Sequence, residues 1–291
     1  MCRPASMILA KERVYWSKFS DSHEDIRDEF KVREMVANNI VSVNVEISPP
    51  KQDYSIPLEK WVYRVDQDLL PKWYNAGECE ERTRKALKDW HRAKVFLSGD
   101  HKVDKGQFYA YGSSSVKAYG SSLVKAYDSS SVVAYDSSSV KANDSSSVVA
   151  HDSSSVAAYN SSSVEANGSS SVVAYDSSLV RTYDSSSVIA NGSSSVVAHD
   201  SSSVIAHNSS SVMACDSSSV VACNSSSVVA YNSSSVVAYD LSSVRGCEDS
   251  ATVRLYGEHS KFDGKLTSPY AVVIDCRGDV AVPMVKTEKT K

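Results

Sequence analysis

The 291-residue chain has no apolar run long enough for a membrane span or the core of a signal peptide. In its opening residues, MCRPASMILAKERV, Pro4 and the charged Lys11, Glu12 and Arg13 surround only a few apolar positions. The expectation is therefore a chain that is not secreted by the usual route and has no membrane partner. Its six cysteines (Cys2, Cys79, Cys215, Cys223, Cys247 and Cys276) contain no CxxC pair, so neither a zinc site nor a disulfide framework is indicated, and free thiols in a reducing compartment follow. A dominant charge is also lacking. The 31 basic and 35 acidic residues give a net charge of −4, which supplies no electrostatic reason for a nucleic-acid or anionic-membrane partner. No nucleophile, base and acid stand at a catalytic spacing, so no enzyme activity, no cofactor and no metal are expected. Cys2 has no accompanying His and Asn or Asp pattern, and His23, Glu24 and Asp25 read as a solvated, capped helix start.

What the chain does have is a repeat. From Gly112 it reads GSSSVKAY, GSSLVKAY, DSSSVVAY and onward to Cys247, seventeen octapeptides without an insertion. DKGQFYAY (Asp104 to Tyr111) is a degenerate unit before the array, and DSATVRLY (Asp249 to Tyr256) is another behind it, offset by Glu248. Degenerate ends are the mark of terminal caps on a stacked array. The Asn-x-Ser triplets that recur through it, such as Asn160, Ser161 and Ser162, are by-products of the repeat.

Within each unit the third residue is Ser, the fifth is Val, and the seventh is Ala except at Thr182 and Gly246, while the sixth varies widely. Fixed and variable positions alternate, which is a strand signal with Ser, Val and Ala pointing inward. The first residue is always Asp, Asn or Gly, the types that accept a left-handed backbone, so a bend lies between units. Eight residues cannot close a coil around a core. Two units can, and the pattern predicts a mainly β fold, a two-sheeted β-solenoid with 16 residues per coil and a rod about 40 Å long at about 4.8 Å per coil. Each unit buries one Val, worth about 1.5 to 3 kcal/mol, against a backbone ordering cost of about 1 to 2 kcal/mol per residue, so ladders, Ser hydroxyls and caps must supply the rest.

The array carries five basic and ten acidic residues, a mildly acidic rod that again argues against nucleic acid. Read every 16 residues, one set of sixth positions runs Ala157, Val173, Ile189, Ile205, Val221 and Val237, while Glu165, Arg181 and Arg245 fall on the other set. A continuous apolar stripe of this kind is a candidate interaction surface, for a second chain or another domain.

Residues 1–103 read as a small α+β domain, 104–256 as the solenoid, and 257–291 as a C-terminal β-hairpin cap with a charged tail. In the first, Met7 to Ala10 and Arg13 to Trp16 suggest a hairpin, and Val41, Val43, Val45 and Ile47 a one-sided strand, with Trp61, Tyr63 and Val65 alternating likewise. A helix is expected from about Ser22, with Ile26 and Phe30 turned to the sheet, and a second from Glu78 to Lys94 with Cys79, Thr83, Leu87 and Trp90 as its buried stripe. The four tryptophans read as core. Arg277, Gly278 and Asp279 spell the integrin tripeptide, but a hairpin turn explains them.

The opening MCRPASMILAKERVYWS, the stretch SDSHEDI and the stretch VDQDLLPKWY, followed by the array, resemble a family of uncharacterised tailed-phage and prophage proteins with Ser-rich octapeptide repeats. That resemblance implies a phage or prophage setting, in the bacterial cytoplasm or on the virion, and brings no active site. The repeat is also similar to the octapeptides of bacterial ice-nucleation proteins, which pair into 16-residue coils, although SSSV stands where that family has Thr-x-Thr. A weaker likeness is to trimeric adhesin head repeats. The expected role is a non-catalytic structural or interaction rod that self-associates through a solenoid face or meets a protein or glycan partner. The alternatives are a surface that binds ice or glycan and, last, an enzyme in the N-terminal domain.

Overall fold

The computed structural model describes all residues except 1–4, 37–38, 265, 267, 269, 279–280 and 286–291. Strand makes up 47% of it and helix 12%, and its main body is a β-solenoid of about ten turns of 16 residues. At about 4.8 Å per turn the stack is about 48 Å long.

Each repeat builds a four-residue strand, as in Ser131–Ala134, Ser139–Ala142 and Ser147–Ala150. A strand pairs in parallel with the strand 16 residues away, not with its sequence neighbour: Val148 lies opposite Val132 and Val164, and Val156 opposite Val140 and Val172. Alternate units therefore form two sheets. We call the one containing Ser131–Ala134 sheet one and the one containing Ser139–Ala142 sheet two. The fifth-position Val and seventh-position Ala interdigitate between the sheets in one apolar core running from Phe96 to Val273. Thr182 replaces the seventh-position Ala and stays fully buried because its hydroxyl meets that of Ser186.

The bend between units is a tight turn. The third-position N–H donates to the carbonyl three residues back, as Ser130 N to Tyr127 O at 3.2 Å. The first-position residue between them has a left-handed backbone in every unit, for example φ 57° at Asp128, 57° at Asn160 and 69° at Gly168. A turn with positive φ at its first central residue selects Gly, Asn and Asp, which is the composition of that position. The first two units need Gly for a further reason: a Cβ at Gly112 or Gly120 would stand 2.8 Å from Leu97 O or 2.6 Å from Asp104 O, in the coil beneath.

That coil begins earlier than the degenerate unit suggests. The strand leaves helix α2 (Ala76–Lys94) directly and runs Val95–Ala126, with Phe96, Val103 and Phe108 filling the base of the solenoid core. At the other end the extra residue is not accommodated at Glu248. The ladder shifts between Val228 and Val229, so that Val229 faces Gly246 and Ala230 faces Cys247. Arg245 is the bulged residue and Cys247, not Gly246, takes the inward place of Ala. Stacking continues past Tyr256: Lys261–Phe262 pairs with the strand at Ser243, and Val272–Asp275 with Thr252–Leu255. Val282–Val285 then pairs antiparallel with Val272–Asp275 and ends the parallel stack of sheet two. The boundaries 104 and 256 are thus narrower than the solenoid itself.

The N-terminal domain is a four-stranded antiparallel sheet, ordered 14–15, 6–10, 42–48, 62–65, between helix α1 (His23–Phe30) and α2. The strand Ser42–Ser48 is not one-sided: Ser42 and Glu46 are buried on the face opposite Val43, Val45 and Ile47, where Arg27 of α1 donates to Ser42 Oγ at 2.7 Å and to Asn44 Oδ1 at 2.6 Å. Ser22 caps α1 as its sequence indicates, but Phe30 stays half-exposed against Tyr15, 5.4 Å between centroids. Helix α2 buries Cys79, Thr83, Leu87 and Trp90, and Lys94 with them. Trp61 and Trp90 lie in the core, and Trp16 and Trp73 pack against it. The domain grips the solenoid through Tyr54, whose ring stacks on Tyr109 at 3.8 Å and whose N–H donates to the Tyr111 hydroxyl at 3.1 Å.

Candidate functional site

Two surfaces offer a place for function: the outward faces of the solenoid and the cleft where its first coils meet the N-terminal domain. On the faces each repeat's strand turns outward only its fourth- and sixth-position side chains, the fourth being Ser except at Leu123 and Leu179. The register lines up Ala157, Val173, Ile189, Ile205, Val221 and Val237 in one column of sheet two. Ile189 and Ile205 are each 40% exposed, and the other members are half-buried by their neighbours. Lys125 and Lys141 precede the column and Arg254 follows it. The matching column of sheet one is interrupted in the middle by Glu165 and Arg181, which face one another across adjacent strands. Arg245, expected with them, sits in the bulge instead.

Along the solenoid edges run the first and eighth positions. Asp side chains accept the backbone N–H of the first residue one coil before, as Asp136 from Gly120 at 2.9 Å and Asp176 from Asn160 at 3.1 Å. Eighth-position aromatics stack with parallel rings, Tyr119 on Tyr135 and Tyr135 on His151, both at 5.0 Å. The side chains of one coil thus fasten the backbone of the next.

No protein family, curated protein or solved structure matches this chain. Its chemistry has to be read from its own groups. Cys79, Cys215, Cys223, Cys247 and Cys276 are free. Burial pushes the Cys215 and Cys223 thiols up, with Asp216 and Asp240 adding to the effect, and Cys247 is pushed up to about 11. Thiols held in the neutral form are poor nucleophiles. Cys2 lies outside the described residues. Among the described residues no group of three His, Cys, Asp or Glu side chains is placed to hold a metal ion, and no helix is long and apolar enough to cross a membrane. His23 is not solvated as expected but buried, with Nε2 3.0 Å from Val45 O and Nδ1 3.5 Å from Asp66. Of the integrin-like tripeptide, Asp279 lies outside the described residues, and Arg277 is tied back, donating to both carboxylate oxygens of Asp275 and, at 3.0 Å, to Ser260 O.

The junction cleft encloses about 1320 Å³ between the loops 19–22 and 48–54, the strands at Glu46 and Arg64, and the first solenoid coils at Gln107 and Lys125. Beneath it lies a buried ion pair, Lys94 Nζ to Asp21 Oδ2 at 3.0 Å, with Trp90 Nε1 donating to Asp21 Oδ1 at 3.0 Å. Burial lowers the Lys94 ammonium, and the Asp21 carboxylate acts against that. Sequence reading missed this cleft because its walls come from segments far apart in the chain, and no single one carries a motif.

Proposed function

We propose that the chain is a non-catalytic interaction protein, a stiff repeat rod that presents one side-chain pattern many times at fixed spacing. The observation that carries this reading is the column Ala157, Val173, Ile189, Ile205, Val221, Val237, held in register on one sheet. Weak contacts repeated at fixed spacing gain strength together without any one being tight, and an apolar column is a surface that monomers seldom leave uncovered. In this reading sheet two meets a second copy or a protein partner. Sheet one, broken by Glu165 and Arg181, is kept from doing the same. The likeness of the flanks to tailed-phage proteins supports a phage or prophage setting, with the rod in the host cytoplasm or on the virion. Light scattering of the full chain tests it: an oligomer that Ile189→Lys with Ile205→Lys turns into a monomer of unchanged thermal midpoint is the expected result. A wild-type monomer across the micromolar range removes the self-association form.

A second reading, binding to an ordered surface such as ice or glycan, is favoured by the fourth-position Ser column beside the apolar one, Ser155 opposite Ser139 and Ser171. Thermal hysteresis and a glycan array distinguish it from the first.

A further inference from the structure

The geometry points to the junction cleft as a binding site for an acidic carbohydrate, in which Lys51 and Lys125 hold the sugar's carboxylate or phosphate. The assignment rests on an excess of cations over carboxylates in the lining. Two carboxylates line the cleft, Asp21, matched by Lys94, and Glu46, 5% exposed. Three cations line it as well, Lys51, Arg64 and Lys125, and none of them forms an ion pair among the described residues. Arg64 has Glu46 as its cross-strand neighbour, whereas the in-register neighbour of Lys125 is another lysine, Lys141.

Lys125 is placed where an anion would relieve it. Its ammonium lies 5.3 Å from the Tyr109 ring centre, and Lys141 is its in-register neighbour on the next strand. Burial, and then the charge of Lys141, lower the Lys125 ammonium. A cation made costly by burial and by a like charge gains most from an incoming negative group. On the opposite wall, Lys51 and Gln52 both have left-handed backbones, φ 55° and 61°. Two consecutive non-glycine residues there are an uncommon conformation, kept by the surrounding structure, and they set both side chains on the cleft rim.

The remaining lining fits a sugar. Phe19, 44% exposed, offers aromatic surface, Gln52 an amide that can donate and accept, and Gln107, whose Nε2 donates to the Tyr109 hydroxyl, a carbonyl that can accept from a sugar hydroxyl. Size argues for an oligosaccharide: small-molecule sites enclose about 300 to 1,000 Å³, and this cleft is larger and open. The site stands independently of how the rod's faces are used.

The test is calorimetric titration of the full chain at low salt with trigalacturonate, maltotriose and inorganic phosphate. Trigalacturonate should bind, weakening as salt rises, and maltotriose and phosphate should each bind at least about tenfold more weakly. Lys125→Gln and Lys51→Gln should each lower trigalacturonate affinity by about tenfold, and Lys125→Arg should retain it, all with the thermal midpoint of the parent. Equal binding of maltotriose, phosphate binding as tight as the trisaccharide, no trigalacturonate binding at millimolar concentration, or wild-type affinity in both Gln variants would each overturn the assignment.

Discussion

Asp184 Oδ2 accepts the backbone N–H of Gly168, one coil earlier, at 2.9 Å. That nitrogen is also the nucleophile by which an Asn-Gly pair deamidates: it loses its proton and attacks the Asn side-chain carbonyl, ammonia leaves, and water opens the succinimide to Asp or isoAsp. The array has two such pairs, Asn167-Gly168 and Asn191-Gly192. At the second, Asn208 stands one coil on in place of Asp, and among the described residues no side chain accepts the Gly192 N–H. Asn191 should therefore deamidate faster than Asn167 on storage at mildly alkaline pH, read by peptide mass mapping. Asp184→Ala should bring Asn167 up to the rate of Asn191; equal rates in the parent chain would show that the edge hydrogen bond does not shield the nitrogen.

The same edge ladder makes the rod sensitive to acid. Asp216 accepts the Asp200 N–H at 3.3 Å, and also faces His199 Nδ1 at 3.4 Å and Asn232 Nδ2 at 3.1 Å. The Asp200 N–H first, and then these side chains, hold its carboxyl below the ordinary range. Asp275, bound by Arg277, is held at about 2. A carboxyl depressed in the folded chain adds stability that is present above its unfolded pKa, about 4, and is lost as pH falls through the folded value. Thermal midpoints should therefore be flat near neutrality and fall below about pH 4. Asp216→Asn should reduce the steepness of that fall, and an unchanged slope would count against the ladder.

Third-position serines fall into two groups that single substitutions should separate. Ser186 donates to Tyr183 O at 2.6 Å, while the Ser146 hydroxyl is buried without a partner. Removing a made hydrogen bond costs about 0.5 to 1.5 kcal/mol, whereas replacing an unpaired buried hydroxyl by hydrogen relieves its desolvation. Ser186→Ala should be destabilised, leaving Thr182 without its partner as well, and Ser146→Ala should be neutral or more stable in urea unfolding. Equal losses would mean that Ser146 turns its hydroxyl onto the Asn143 carbonyl, as Ser122 does onto Tyr119.

The repeat was legible because its signals are local: alternation fixed which residues face inward, and the Asp, Asn or Gly position named the left-handed turn. Helix α2 was legible for the same reason, its stripe at Cys79, Thr83, Leu87 and Trp90 being a matter of 3.6-residue spacing. What failed depends on contacts between distant segments. Arg245 bulges because the ladder takes up the extra residue there, which sets Gly246 opposite Val229, whose Cγ1 lies 3.1 Å from where a Cβ would be. The solenoid's first coil, from Val95, lacks the octapeptide pattern, with Phe96 in its core and Phe108 where the repeat has Val. His23 and Lys94 are buried only because a strand carbonyl and Asp21 await them. The column on sheet two follows from spacing alone, whereas the junction cleft exists only once the fold brings its walls together.

Deletions separate the fold of the rod from its use. The two halves of each coil are alike: Asp128, Asp136, Asp144 and Asp152 have φ of 57°, 57°, 58° and 56°, and every third-position Ser is buried. Deleting eight residues, Asp184 to Asn191, joins Tyr183 to Gly192 in correct phase and moves all later strands to the opposite sheet, where they meet neighbours of the same kind. Deleting sixteen, Asp184 to His199, joins Tyr183 to Asp200 and leaves every later strand on its own sheet. Both chains should fold with thermal midpoints close to each other, since a repeat array loses only the deleted unit and its neighbour contacts. Both keep an apolar column on sheet two. The sixteen-residue deletion leaves Ala157, Val173, Ile205, Val221 and Val237 in line, and the eight-residue deletion leaves Ala157, Val173, Val197, Met213 and Val229 there, while Ile205, Val221 and Val237 follow Glu165 and Arg181 on sheet one. If sheet two is the contact surface and apolar character alone is what it presents, light scattering should show association in both. Loss of association in the shorter deletion alone would mean that the contact needs Ile205, Val221 and Val237 themselves in line with Val173, and a much lower midpoint for the shorter deletion would show that the two halves of the coil are not equivalent.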